Sequence, residues 1–144
     1  MPEKSPPAGG PFLPRLRVII VDDHPSFRSM AAKLLTKGGF SVISEAADGA
    51  TALASSLDLR PDLVLLDVQL PDIDGFQVAD ALAAAAFAAR VVPPSVVLMS
   101  SRAGVDYGSR LAAAPVLGFI AKADLSGPVV RALLADPPHC PTCG

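Results

Sequence analysis

The sequence of 144 residues lacks the features that would assign it to a secreted, membrane or nucleic-acid-binding class. Its two cysteines, Cys140 and Cys143, lie in the last few residues, so no disulfide framework holds the fold. It has no basic cluster and a net charge of −2, which argues against direct DNA binding, because a nucleic-acid surface needs a basic stripe. The alanine-rich stretch at 79–89 is too short to span a bilayer, and the first 14 residues lack the apolar core of a secretory signal. We therefore expect a cytoplasmic protein with no membrane segment.

The hydrophobic share of 51% suits one globular domain with a sizeable core. Residues 1–14 are rich in proline and glycine and are predicted to form a disordered N-terminal tail. The segment 136–144 opens with Asp-Pro-Pro, which ends the last helix, and is predicted to be a C-terminal tail. Its histidine and two cysteines resemble half of a zinc site, but structural zinc takes four ligands, so a tail is the favoured interpretation. The domain is therefore expected to span 15–135.

Apolar runs that end in polar residues predict buried strands. The clearest run, Leu63 to Asp67, is typical of a strand covered on both faces, and Pro71 and Gly75 then redirect the chain. Further strands are predicted at 16–21, 40–46, 95–99 and 118–121, and helices at 25–37, 50–57, 76–89, 107–113 and 125–134. Because strands separated by helices are joined by right-handed crossovers, this alternation predicts an α/β three-layer sandwich with a central parallel sheet.

Polar side chains follow four of these strands, at the edge where parallel sheets bind ligands. They are Asp22 and Asp23 after the first strand, Asp67 after the third, Ser100 after the fourth and Lys122 after the fifth. Clustered carboxylates resist ionisation unless a cation neutralises them, and hard oxygen ligands suit Mg²⁺. A carboxylate can also attack phosphorus to form an aspartyl phosphate, whose oxygens a lysine and a hydroxyl would hold. The pattern therefore favours phosphoryl chemistry at this edge.

Several motifs, in this order, resemble the response-regulator receiver domain of two-component signalling. They are Val-Asp-Asp-His at 21–24, the segment from Asp67 to Gly75, Ser100-Ser101, and Gly-Phe-Ile-Ala-Lys at 118–122. The resemblance covers about 16–134 and implies a flavodoxin-like (βα)5 fold with strand order 2-1-3-4-5. It also implies a signalling switch, not an enzyme, whose chemistry is limited to its own phosphorylation and dephosphorylation.

The resemblance implies a role for each residue of this edge. Asp67 is the expected phospho-acceptor, and Ser100 and Lys122 are expected to contact the phosphoryl group. The expected Mg²⁺ ligands are Asp22, Asp23, Asp67 and the backbone carbonyl of Gln69. Phe119 matches the aromatic switch position of the fifth strand, although an aromatic on a short strand is as typical of plain core.

Expected partners follow from the same resemblance. The phosphoryl donor would be a histidine kinase or a phosphotransfer protein. Receivers of this style are commonly followed by a DNA-binding domain, whereas this sequence ends soon after the last helix. Output is therefore expected through a downstream protein partner or through homodimerisation.

Other functions fit parts of the pattern. The main alternative is a phosphorylation-independent scaffold or interaction domain with the same fold, and the presence of every acidic-pocket residue argues against it. An aspartate-nucleophile phosphatase would need a second catalytic Asp two positions after the first, whereas Asp22 is followed by Asp23-His24-Pro25. A flavin phosphate would be repelled by the two carboxylates of the first loop. His24 is interpreted as a loop residue.

Overall fold

The structure, a computed structural model, describes residues 15–101 and 107–135, in which five β-strands alternate with five α-helices. The strands are β1 (Arg17–Val21), β2 (Ser41–Ala46), β3 (Leu63–Asp67), β4 (Ser95–Ser100) and β5 (Gly118–Ala121). The helices are α1 (Pro25–Lys37), α2 (Gly49–Leu59), α3 (Gly75–Ala89), α4 (Gly108–Ala113) and α5 (Gly127–Ala135), and a single 3₁₀ turn spans Lys122–Asp124. The predicted tails, with the histidine and cysteines of the second, lie outside the described residues.

The strands form one parallel sheet of order β2-β1-β3-β4-β5, which confirms the predicted flavodoxin-like fold. The central strand β3 is buried at all five positions, as its uninterrupted apolar run predicted. In register, Val21 pairs with Leu66, Asp67 with Met99, and Ser100 with Ala121. The strands therefore end nearly level, and the polar residues that end or follow them share one edge.

Alternate residues of each strand face opposite helix layers, because successive side chains of a strand point to opposite sides. Ile19 and Val21 belong to the apolar cluster on the side of α2 and α3. Val18 and Ile20 belong to the cluster that contains Leu35 of α1 and residues of α5. Since both faces of the sheet are covered, its backbone is fixed and its carboxyl edge is a rigid platform. No helix within the described ranges is long and apolar enough to cross a membrane.

Several predicted helix boundaries differ from the structure by one or two residues, and two of these differences have a local cause. The helix predicted at 50–57 begins at Gly49, because Asp48 is its N-cap and its side chain accepts a hydrogen bond of 2.7 Å from the Thr51 N–H. At the other end of the chain, α5 begins at Gly127 and not at Leu125, because the 3₁₀ turn first directs Leu125 into the core. Neither difference moves a predicted site residue.

Candidate functional site

The carboxyl edge of the sheet holds a cavity of about 160 Å³. Its lining comprises Asp23, His24, Asp67, Gln69, Leu70, Pro71, Ser101 and Lys122. The loops after β1, β3 and β5 and the end of β4 therefore meet at one place, as the predicted register required. A larger cavity of about 540 Å³ lies at the opposite end of the sheet, is lined mainly by apolar side chains and contains none of the predicted site residues.

Lys122 joins two carboxylates of the edge. Its Nζ lies 2.5 Å from Oδ2 of Asp22 and 3.1 Å from Oδ2 of Asp67. The side chains of Asp22 and Asp67 are 0% and 5% exposed and that of Lys122 is 16% exposed, so water screens these ion pairs weakly. Oδ2 of Asp22 has no hydrogen-bond partner of good geometry among the described residues, so the ammonium charge is what compensates it. The ring of Phe27 lies 4.7 Å from Nζ and supports it from another side.

Burial and charge act in opposite directions on this pair. Burial raises the pKa of Asp67 above its ordinary value, and the hydrogen bond and charge of Lys122 offset only part of that rise. Burial by itself would lower the pKa of Lys122, but its contacts with Asp22 and Asp67 raise that pKa above the ordinary value. Lys122 therefore stays charged at neutral pH and favours the ionised form of Asp67. One ammonium faces two carboxylates, so the edge keeps an excess of negative charge.

The acidic side of the cavity could hold a cation. One side-chain ligand atom from each of Asp22, Asp23, His24 and Asp67 lies within 4.8 Å of the other three. Carboxylate oxygens are the ligands that Mg²⁺ prefers, and three of these four side chains supply them. The side chains therefore fit Mg²⁺. The predicted further ligand, Gln69, borders the cavity, and its backbone N–H donates to Oδ1 of Asp67 at 3.2 Å.

His24 is a loop residue, as expected, but its imidazole lies inside the acidic cluster. Its Nδ1 is 3.0 Å from Oδ1 of Asp22 and 3.1 Å from Oδ1 of Asp23. Its backbone N–H donates to Oδ1 of Asp22 at 2.8 Å. The sequence signal for this contact was only its position directly after the two aspartates. The consequence is that His24 fixes the orientation of the buried Asp22 carboxylate.

Ser100 lies at the predicted edge, but its hydroxyl contacts an aromatic side chain. Its Oγ is 2.8 Å from the hydroxyl of Tyr107, the residue that precedes α4. The Tyr107 ring lies between the rings of Phe76 and Phe119, with centroid distances of 5.7 and 5.9 Å. Phe119 is half-buried, and its ring contact with Tyr107 makes it a member of this aromatic group. No pattern in the sequence indicated that Ser100 would contact Tyr107.

The loop between β3 and α3 fixes the backbone of Asp67. A Cβ on Gly75 would lie 2.5 Å from the carbonyl oxygen of Asp67, so only glycine fits there. Asp74 caps α3 through a capping box with Gln77. Asp72 accepts hydrogen bonds from the backbone N–H groups of Gly49 and Ala50, at 2.8 and 2.9 Å. These bonds lower the pKa of Asp72 to about 2 and tie the loop to the first turn of α2.

Three comparisons describe what this chain is similar to. The family model of the response regulator receiver domain matches residues 18–127. The DNA-binding transcriptional activator EvgA of Escherichia coli (strain K12) is 28% identical over 83% of this chain and 56% of its own length. Protein-glutamate methylesterase/protein-glutamine glutaminase 6 of Anaeromyxobacter dehalogenans is 38% identical over 83% of this chain and 33% of its own length. The receiver domain structure of NarL from Mycobacterium tuberculosis is 34% identical, with a TM-score of 0.71, over 85% of this chain and 96% of that one.

The match to the family model covers most of the chain, and it includes β1, β3 and β5 with the acidic edge between them. The chain spans 56% of the length of EvgA and a third of that of the methylesterase, so the activities in their names are not assigned to this chain. The order of the strands, the position of the acidic cluster and the extent of the family match together show that this chain belongs to the response regulator receiver domain family.

Proposed function

We propose that this chain is a phosphorylation-dependent signalling switch that accepts a phosphoryl group on Asp67. The donor is a histidine kinase or a phosphotransfer protein, the class of partner with which receiver domains interact. The observation that carries the proposal is the contact of Lys122 Nζ with Oδ2 of Asp67 at 3.1 Å, beside the two carboxylates of Asp22 and Asp23. It combines a nucleophile, a cation for the new charge and metal ligands in one cavity.

The reaction exchanges one bond to phosphorus for another. A carboxylate oxygen of Asp67 attacks the phosphorus of a phosphohistidine, a P–O bond forms as the P–N bond breaks, and the leaving imidazole takes up a proton. Lys122 keeps the attacking carboxylate ionised and faces the oxygens of the transferred group. Asp22 and Asp23, with the carbonyl of Gln69, would hold Mg²⁺. When bound, the ion neutralises charge on the phosphoryl oxygens.

Output from the switch is proposed to use the face of α4, β5 and α5. Phosphorylation adds charge at the carboxyl edge and shifts an equilibrium between two surface conformations. The half-buried Phe119 on β5 is the proposed switch aromatic, since its ring contacts Tyr107 at the start of α4. The readout is a downstream protein partner or a homodimer. Direct contact of this domain with DNA is not part of the proposal.

The test is phosphorylation by a small-molecule acyl phosphate and Mg²⁺. Wild-type protein should be labelled, Asp67→Asn should not, and a chelator should suppress the label. Asp80→Asn is the matched control, because Asp80 is exposed on α3 and lies outside the cavity lining. Asp23→Ala should slow labelling, because it removes a proposed metal ligand.

The alternative, a phosphorylation-independent scaffold, gives a different result in the same assay. A scaffold would bind its partner equally well before and after incubation with the donor. Label on Asp67→Asn at the wild-type rate, or label that ignores the chelator, would overturn the proposed mechanism and leave the fold unaffected.

A further inference from the structure

We infer that Tyr107 is a positioning residue that holds the Ser100 hydroxyl away from the cavity until Asp67 is phosphorylated. This inference rests on the proposed function, because it concerns how the phosphoryl group on Asp67 is sensed. The contact that motivates it is the 2.8 Å hydrogen bond between the Ser100 and Tyr107 hydroxyls. Tyr107 thereby links the phosphorylation site to the start of α4.

The geometry of Ser100 makes its two partners alternatives. Ser100 is the last residue of β4 and pairs in register with Ala121, the neighbour of Lys122. It is 2% exposed, and its Oγ lies 2.8 Å from the Tyr107 hydroxyl. A serine hydroxyl occupies one of three staggered positions, so a contact with a phosphoryl oxygen on Asp67 that rotates the hydroxyl would move it away from Tyr107. Recruiting Ser100 to the phosphoryl group therefore breaks its bond to Tyr107.

Losing this bond has consequences for α4. The helix has six residues, Gly108–Ala113, of which none is fully buried and Leu111 packs half-buried against the core, so a small number of contacts attaches it to the domain. One contact is the Tyr107 ring between Phe76 and Phe119. Another is Arg110, which lies 4.2 Å from the Phe76 ring centroid and donates to Asp74 at 2.9 Å. Release of the Tyr107 hydroxyl leaves the aromatic group without its hydrogen bond to β4, and α4 becomes freer to shift.

The hydroxyl that contacts Ser100 belongs to Tyr107, directly before α4, and not to a residue of β5. Phe119, the residue at the switch position of β5, has no hydroxyl, and Tyr107 is the single tyrosine of the sequence. The aromatic at β5, which also packs against the core, can therefore follow the movement through its ring contact with Tyr107, whose centroid is 5.9 Å away. Tyr107 moves first, and Phe119 responds to it.

The sequence also supplies the probe for a test. With one tyrosine and no tryptophan, intrinsic fluorescence reports on Tyr107 alone. An acyl phosphate with Mg²⁺ should change that fluorescence in wild-type protein, and Mg²⁺ without the donor should not. Ser100→Ala should already show the released signal without the donor, and the donor should add nothing. Ser101→Ala is the matched control, because it removes a neighbouring hydroxyl that does not contact Tyr107, and it should behave as wild type.

A second measurement separates the role of the Tyr107 hydroxyl from the packing of its ring. Tyr107→Phe keeps the ring between Phe76 and Phe119 and removes only the hydroxyl. In calorimetry it should bind beryllium fluoride with Mg²⁺, a phosphoryl mimic, roughly threefold to tenfold more tightly than wild type, the range that one net hydrogen bond corresponds to. The double variant with Ser100→Ala should gain nothing over Ser100→Ala alone.

The possible outcomes distinguish the positioning role of Tyr107 from the proposed phosphorylation of Asp67. If wild-type protein takes up the label but its tyrosine fluorescence is unchanged, the positioning role of Tyr107 is wrong and the proposed function stands. Unchanged or weaker binding of the mimic by Tyr107→Phe would also overturn that role. If wild-type protein takes up no label, the proposed function fails and this inference fails with it.

Discussion

Replacing Lys122 by methionine should destabilise the domain in the absence of Mg²⁺. The substitution keeps an unbranched side chain but removes the ammonium that lies 2.5 Å from Asp22 and 3.1 Å from Asp67. Both carboxylates are buried, and Oδ2 of Asp22 has no hydrogen bond to replace the lost contact. The variant must therefore either keep uncompensated buried charge or protonate a carboxylate at neutral pH.

The size of the effect follows from burial. Removing one partner of a fully buried ion pair costs about 3–5 kcal/mol of unfolding free energy. Lys122 is 16% exposed, so some water reaches the pair and the loss should fall to about 2–3 kcal/mol. At a typical urea dependence, this loss lowers the unfolding midpoint by roughly 1–2 M.

The assay is urea unfolding of the purified chain in a chelator, followed by the same series with Mg²⁺. Lys33→Met is the matched control, because Lys33 is exposed on α1, and its effect should stay within about 0.5 kcal/mol. Mg²⁺ at about 100 times its dissociation constant should return up to about 2.7 kcal/mol to Lys122→Met, since the ion replaces the missing charge. A loss no larger than that of Lys33→Met would refute the reasoning that this ammonium compensates the buried carboxylates.

Two further predictions concern pH. Burial raises the pKa of Asp67 in the folded protein, so ionisation of this side chain opposes folding. The resulting loss of stability is absent below 3.8, the pKa of the unfolded chain, and grows as pH rises through the folded pKa. Asp67→Asn should therefore be more stable than wild type at pH 7 in a chelator, and the gain should disappear in acid; a gain that persists below pH 3.8 would contradict this. The pKa of Asp72 is lowered to about 2, so its ionised form favours folding above 3.8 and the contribution is lost as pH falls towards 2. Asp72→Ala should destabilise the domain at pH 7 and match wild type near pH 2, as followed by thermal unfolding; equal stability at both pH values would show that its bonds to α2 contribute nothing.

Local patterns in the sequence were enough to predict the fold and the position of the acidic edge. The uninterrupted apolar run before Asp67 predicted a strand covered on both faces, and the alternation of strands with helices predicted parallel crossovers. Parallel strands of similar length end at one edge, so Asp22, Asp67 and Lys122 had to lie near one another. Those inferences depend only on the periodicity of apolar residues and on the order of the elements along the chain, and both can be observed in the sequence itself.

Only the tertiary structure decided which side chains touch. Nothing local indicates that Ser100 contacts Tyr107 or that Asp72 binds the first turn of α2. Each of these contacts depends on the rotamer of a side chain and on the path of a loop, and both are set by packing against elements distant in sequence. The sequence by itself therefore determined where the chemistry lies, and the packing of α4 and the loops determined how the site is connected to the rest of the domain.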